Sequence, residues 1–352
     1  DITEMKPIDN GGDWIIVHEL SDNDGLNPYT STGAGGTYIY SYNIFETMLI
    51  KDNKTLEYIP WIPARLFKSH RLSSIDDSNT MKTLISSGTS GQGRSTIVLD
   101  KENSLNQIKV LSKTVSSLTG KKRVPMLVID SPSVIKNREK FSARGAGILG
   151  FSMLAKKVEY ALNDEMELDT NLVQQFAKKY TGEPVLIFGF TFMIFEYFCK
   201  PLLESAESIN LDQATLIHGG GWKKMEAMKI SNKIFKERLL SKIKLKNIYN
   251  YYGLVEQTGS IFIECSKCGC FVTSIFSDIL IRDKHFNILS NGKKGIIQLF
   301  SLLPTSYPGH SILTEDIGEI INENNCKCGT KGKCFLVHGR AAKSEIRGCS
   351  DT

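Results

Sequence analysis

Residues 86–93 read Ser-Ser-Gly-Thr-Ser-Gly-Gln-Gly, three glycines and four hydroxyls in eight positions. Glycine accepts positive φ and lets the backbone approach an anion closely. Free N–H groups and hydroxyls then donate to phosphate oxygens. No Gly-Lys-Ser/Thr closes the run, so it is not a Walker A loop. Three further groups follow at long intervals: His218-Gly219-Gly220-Gly221-Trp222, then Tyr251-Tyr252-Gly253-Leu254-Val255-Glu256, then Asp316 ahead of Gly339-Arg340.

The cysteines form a second constellation. Eight in 352 residues are too few for a disulfide scaffold. Cys265, Cys268 and Cys270 lie in one cluster and Cys326, Cys328 and Cys334 in another, while Cys199 and Cys349 stand apart. Cys265-x2-Cys268-Gly269-Cys270 and Cys326-x-Cys328-Gly329 read as two thiolate knuckles, each with a glycine where the chain must turn tightly. Four thiolates in a tetrahedron suit a structural Zn²⁺. The spacing leaves open whether Cys268 or Cys270 joins Cys265, and Cys334 is a spare.

These residues need elements to position them. The chain is 41% hydrophobic with net charge +5, enough for a large core in one domain or a main domain with subdomains. Basic and acidic residues are intermixed, with no Lys/Arg run alternating with aromatics, so no nucleic-acid groove is expected. The longest apolar stretches, 184–198 and 296–303, do not suit a bilayer span. The opening segment lacks a charged stretch followed by an apolar one. A cytoplasmic protein without stable membrane insertion is expected.

The first 40 residues read as irregular apart from 14–20, and 41–50 as helix or strand. Residues 95–100 form a strand after the glycine-rich loop. Leu105, Ile108, Leu111, Val115 and Leu118 give helical spacing over 101–119. Strands are expected at 124–130, 184–189 and 214–218. Helices are expected at 172–180 and, basic and amphipathic, at 225–242. Short strands and turns dominate after 251. Strands alternating with helices, with polar or glycine-rich loops at strand ends, indicate an α/β domain binding ligand at those ends. Phe188, Phe190, Phe192, Met193 and Phe195 read equally as pocket lining or core. His218 reads equally as a structural hydrogen-bonder or a catalytic group.

Taken in order, SSGTSGQ, Tyr252-Gly253-x-x-Glu256, LTEDIGE at 313–319 and Gly339-Arg340 resemble the phosphate loop, Tyr-Gly-x-x-Glu motif, ribose aspartate and hinge of the adenylate-forming (ANL-type) superfamily. Finer matches resemble the LuxE-type acyl-protein synthetases of its phenylacetate-CoA ligase-like branch. These are IPARLFK at 62–68, FGFTF at 188–192, HGGGWKK at 218–224, YYGLVEQTGSIFIEC at 251–265, SYPGHSILTEDIGEI at 306–320 and GRAAKSEIRGC at 339–349.

The resemblance implies an ATP-dependent acid–thiol ligase of the long-chain-fatty-acid–protein type. Ser87, Gly88, Thr89, Ser90 and Gly91 would hold the phosphates and Glu256 would bind Mg²⁺. His218, Gly219, Gly220, Gly221, Trp222, Tyr251, Tyr252 and Gly253 would frame the adenine of ATP or AMP. Asp316 would take the ribose and Arg340 would contact the nucleotide near the hinge. It implies a large N-terminal domain; the sequence departs from the superfamily pattern in that only a short C-terminal segment is expected in place of a lid domain. Residues 1–60 would be an irregular or helical N-terminal segment, 61–338 the core with its zinc knuckles, and 339–352 the hinge and tail. Lys343 would substitute for the lid's lysine. Cys349 would accept the acyl group, with Arg347 favouring its thiolate, for hand-over to an acyl reductase. Two other readings stand: an acyl- or aryl-CoA ligase with coenzyme A as acceptor, and a non-catalytic nucleotide-binding protein of the same fold.

Overall fold

The computed structural model describes residues 2–7, 13–19, 37–43, 56–86, 94–135, 143–221, 230–323, 326 and 329–341. Within the first 60 residues, expected as irregular or helical, β1 (Ile2–Pro7), β2 (Asp13–Glu19) and β3 (Thr37–Asn43) pair antiparallel in the order β1-β2-β3. Trp14, Ile15, Ile16 and Val17, like the alternating Tyr38, Tyr40 and Tyr42, are β-branched or aromatic residues that suit a pleated surface.

The strands that carry the motifs follow. They are β4 (Ile62–Pro63), β5 (Lys82–Ile85), β6 (Thr96–Leu99), β7 (Val124–Val128), β8 (Ala155–Tyr160), β9 (Val185–Phe190), β10 (Ile209–Gly219) and β11 (Ile243–Tyr252). Then come β12 (Phe262–Glu264), β13 (Phe271–Val272), β14 (Ser277–Arg282), β15 (Gly295–Ser301), β16 (Ser311–Asn322) and β17 (Cys334–Arg340). One large sheet runs β14-β15-β16-β17-β13-β12-β11-β10-β9-β7-β8, and β4 pairs with β16.

Its two halves differ in direction. β8, β7, β9, β10 and β11 are parallel, and from β11 through β12 to β14 every pairing along the sheet is antiparallel. Parallel strands are buried on both faces and read as continuous apolar runs. β7 and β9 accordingly divide their side chains by alternation. Leu127, Val185 and Ile187 join one core with the helices Thr170–Lys179 and Asn232–Leu240. Met126, Val128, Leu186, Phe188 and Phe190 join another with the helices Lys101–Thr119 and Ala143–Ser152.

Local signals set the helix ends. Asp100 caps Lys101–Thr119 by accepting from Asn103 N at 2.7 Å, and Gly120, at φ 75°, closes it. Asp169 caps Thr170–Lys179 by accepting from Leu172 N. The helix expected over 225–242 starts at Asn232 because the Ser231 hydroxyl accepts from Ile234 N there, and it ends at Leu240; residues 222–229 lie outside the described set. In Lys101–Thr119 the buried face combines Leu111 and Val115 with Asn103 and Gln107, while Leu105 is exposed.

The segment 62–72 joins the two halves of the site. Ile62 and Pro63 lie opposite Ile312 and Leu313 of β16, and Ala64 N donates to Leu313 O. Phe67 and Leu72 pack with Leu84 of β5, Ile97 and Leu99 of β6, and Tyr307. The β5–β6 hairpin, the start of β16 and residues 62–72 are thereby held against one another.

Candidate active site

Parallel α/β sheets bind ligands at the carboxyl ends of their strands, and the motifs collect there. The glycine-rich loop, residues 87–93, lies outside the described set, but its two feet are fixed. Ser86 N donates to Ser95 O at 2.9 Å and Ser95 N donates to Ser86 Oγ at 2.8 Å, extending the pairing of β5 with β6.

From that base the Ser95 hydroxyl donates to Glu256 Oε1 at 2.5 Å. Glu256 sits on the short turn Val255–Gln257 after β11 and is buried. Burial raises its pKa; the bond from Ser95, its own backbone N–H and the charges of Lys68 and Arg340 oppose that shift. Gln257 fixes the turn from below by donating to Gly309 O at 2.8 Å and Leu299 O at 3.1 Å. A Cβ on Gly309 would collide with Glu256 O at 2.7 Å, which explains the glycine there.

Tyr252, the last residue of β11, donates to Asp316 Oδ2 at 2.7 Å. Asp316 N in turn donates to the Thr314 hydroxyl at 3.1 Å. Strand register puts Asp316 opposite Arg340. Burial raises the pKa of Asp316, and Tyr252 and Arg340 oppose it. Burial, with Asp316 beside it, holds the Tyr252 phenol protonated. Glu315 accepts from Lys68 Nζ at 3.3 Å and lies 3.9 Å from Arg340. Glu256, Tyr252, Asp316, Arg340 and the loop's base therefore converge, as the motif order requires. Sequence reasoning gave no role to Lys68 and Glu315, which lie inside quoted motifs, or to Ser95, which follows the glycine-rich loop.

The glycine triplet forms the adjoining wall. A Cβ on Gly219 would lie 2.5 Å from the Tyr251 ring, and one on Gly220, at φ 76°, would lie 2.5 Å from Phe190. His218 is buried against Phe235, with ring centroids 4.8 Å apart. Thr191 Oγ1 donates to Gly219 O at 3.1 Å and lies 2.9 Å from His218 Nδ1. A hydroxyl has one proton, so Nδ1 supplies the second bond and Nε2 is an acceptor. Burial, helped by Lys236, lowers the His218 pKa to about 3, so the ring is neutral. His218 thus supports the glycine wall through Thr191 and does not titrate near neutrality. Phe188, Phe190, Met193 and Phe195 are core, Phe195 on the opposite face of the sheet from the other three; Phe192 is partly buried. At the end of β7 a further charge pair, Asp130 with Arg144 at 3.0 Å, was not foreseen.

The thiols form a separate corner. The Sγ atoms of Cys265, Cys268 and Cys326 all lie within 4.8 Å of one another, with Cys268 and Cys326 at 3.1 Å. A tetrahedral S₄ zinc site has sulfur–sulfur edges of roughly 3.8 Å; three thiols gathered within 4.8 Å suit such a site by type and spread, with the Cys268–Cys326 pair closer than that edge. Gly269 at φ 73° and Gly329 at φ 86° make the two turns. Cys270, also expected as a ligand, is not in this triad: its Sγ lies 3.9 Å from Cys268 O, while its carbonyl accepts from Cys265 N at 2.8 Å. Trp222, Cys328, Lys343 and Cys349 lie outside the described residues.

No helix among the described residues is long and apolar enough to cross a membrane. The parallel sheet and its antiparallel extension give the fold of adenylate-forming enzymes. 2-Hydroxyisobutyryl-CoA ligase in its postadenylation state matches with TM-score 0.60 at 14% identity, over 82% of this chain and 60% of that one. Its open conformation with 2-HIB-AMP and CoA matches at 0.56 and 16%, over 76% and 58%. The chain thus spans about three fifths of the length of these structures. The family model for the acyl-protein synthetase LuxE matches residues 42–352, and the chain belongs to that family. The long-chain-fatty-acid–luciferin-component ligase of Vibrio harveyi is 23% identical over 312 residues, 84% of this chain and 77% of the relative.

Proposed function

We propose that this chain is an acyl-protein synthetase that activates a carboxylic acid, a fatty acid by its family, at the expense of ATP. The substrate carboxylate attacks the α-phosphorus, an acyl–phosphate bond forms and pyrophosphate leaves. A cysteine thiolate then attacks the acyl carbon, a thioester forms and AMP leaves. Membership of the LuxE family supports the activity. The observation that carries the mechanism is the Ser95–Glu256 bond, which joins the base of the glycine-rich loop to the Tyr-Gly-x-x-Glu carboxylate.

In this reading Ser87, Gly88, Thr89, Ser90 and Gly91 hold the phosphates. Glu256 would ligate Mg²⁺, whose charge would offset the repulsion between the two anions. Asp316, kept in place by Tyr252, accepts from the ribose hydroxyls. Tyr251 and Gly219, Gly220 and Gly221 with Trp222 bound the adenine, next to Gly253. Arg340 stands at the nucleotide's rim. Cys265, Cys268 and Cys326, with Cys328, would hold a structural Zn²⁺ that ties the C-terminal strands to β12 and β13. Cys349 is the acyl acceptor, and an acyl reductase is the recipient that the family suggests. Residues 1–60, 61–338 and 339–352 are the N-terminal segment, core and tail.

The test is incubation with ATP, Mg²⁺ and radiolabelled fatty and aromatic acids. Hydroxylamine-sensitive label on the denatured protein, absent in Cys349→Ser while acid-dependent pyrophosphate release persists, is the expected result. Product only when CoA is added would move the assignment to a CoA ligase, and no pyrophosphate release with any acid would refute adenylation.

A further inference from the structure

Adenylation needs a cation to draw the leaving phosphates away from the α-phosphorus, and the charged corner offers two. Arg340 is mostly exposed, with 69% of its side chain accessible, and lies 3.9 Å from Glu315. Lys68 is more enclosed, at 22%, and 3.3 Å from the same Glu315 oxygen. Lys68 belongs to the short helix Leu66–Ser69, whose position is fixed twice. Phe67 is buried against Leu84, Ile97 and Leu99 of the hairpin that carries the glycine-rich loop. β4, just before it, pairs with Ile312 and Leu313 of β16, two to four residues ahead of Glu315 and Asp316.

We propose that Lys68 is a phosphate-binding residue of the adenylation step, held in waiting by Glu315 and transferred to the nucleotide's phosphates when ATP binds. This rests on the adenylation reading above. A partly exposed Lys–Glu pair is a weak contact, so it exchanges readily for a phosphate, which carries more charge and more acceptors. Lysine suits this as a compact point charge on a flexible stem. Lys68 also lies close enough to Glu256 and Asp316 to favour their ionised forms. It thus faces the proposed Mg²⁺ and ribose residues from a third element, far from both in sequence.

The test separates the half-reactions. In Lys68→Ala, acid-dependent ATP–pyrophosphate exchange should fall about a hundredfold, the scale for losing one group that stabilises developing charge. Titration calorimetry with Mg-ATP should show weaker binding. Transfer to protein from added acyl-adenylate should be retained. Lys68→Ala/Glu315→Gln should be as impaired as Lys68→Ala, because the lost partner is the phosphate.

Exchange within about threefold of wild type in Lys68→Ala would overturn the proposal. So would recovery in the double variant, which would make Lys68 a mere counter-charge to Glu315. Equal loss of exchange and transfer would do the same, by making the effect one of folding. Wild-type protein that binds Mg-ATP but exchanges with no acid would overturn the adenylation reading itself.

Discussion

The two ends of the β16–β17 hairpin are built on opposite principles. At one end Asp316 lies opposite Arg340, with Glu315, Lys68, Tyr252 and Glu256 gathered round. At the other, Asn322 lies opposite Cys334, and the turn beyond brings Cys326 to Cys265 and Cys268. The charged end encloses carboxylates whose burial opposes their ionisation. The thiol end has an apolar surround of Val272 and Leu336. Its neighbour Glu264 ties it inward, accepting from Lys236 at 2.8 Å, from Asn250 N at 3.1 Å and from Asn232. The same two strands thus carry a buried electrostatic corner at one end and a thiol cluster at the other.

If that contrast holds, Glu256→Gln has the largest effect. It retains an acceptor for Ser95 but removes the charge. Exchange should fall about 10²–10³-fold, with a melting temperature no lower than wild type. A matched loss of both would mean that Glu256 is structural. Next, Cys268→Ser should lose bound zinc, measured by metal analysis of purified protein, and melt earlier, whereas Cys270→Ser should keep the metal. The reverse would put Cys270 in the donor set. Gly219→Ala, which drives a methyl into Tyr251, should cost about 1–3 kcal/mol in denaturant unfolding; a neutral result would show that the glycine wall yields.

The smallest effect is a pH dependence. Glu256 and Asp316 have folded pKa values raised by burial. A folded-state acid with a raised pKa holds its proton more tightly than the unfolded chain does. Its stabilising contribution is present below the unfolded pKa and is lost as pH rises through the folded one. Activity needs the ionised forms, so exchange should fall at pH values just above the usual carboxylate range while these two groups favour the fold. An exchange profile flat down to that range would contradict the shifts.

How much of this was legible in the sequence depends on the range of the interaction. The parallel strands 124–128 and 185–190 and the capped helices 101–119 and 170–179 follow from local pattern and were expected. In the N-terminal sheet only the run at 14–20, where β2 lies, stood out from an otherwise irregular reading; β1 was not expected and β3 begins ahead of the 41–50 segment read as helix or strand, because long polar intervals separate the short apolar runs. The ordered motifs located Glu256, Tyr252, Asp316 and Arg340 together. Ser95, Glu315 and Lys68 escaped because their roles arise only when β4, β5, β6 and β16 are brought side by side, up to 247 residues apart. The spacing left Cys268 and Cys270 equivalent, and only the fold groups the Cys268 sulfur with those of Cys265 and Cys326. His218 was open between two roles until its burial and its bond to Thr191 were seen.

The most direct test of the central claim is ATP–pyrophosphate exchange by wild-type protein with Mg²⁺ and a series of fatty acids, run beside Glu256→Gln. The account predicts exchange that requires the acid and disappears in the variant. Exchange that ignores the acid, or survives the loss of Glu256, would contradict it.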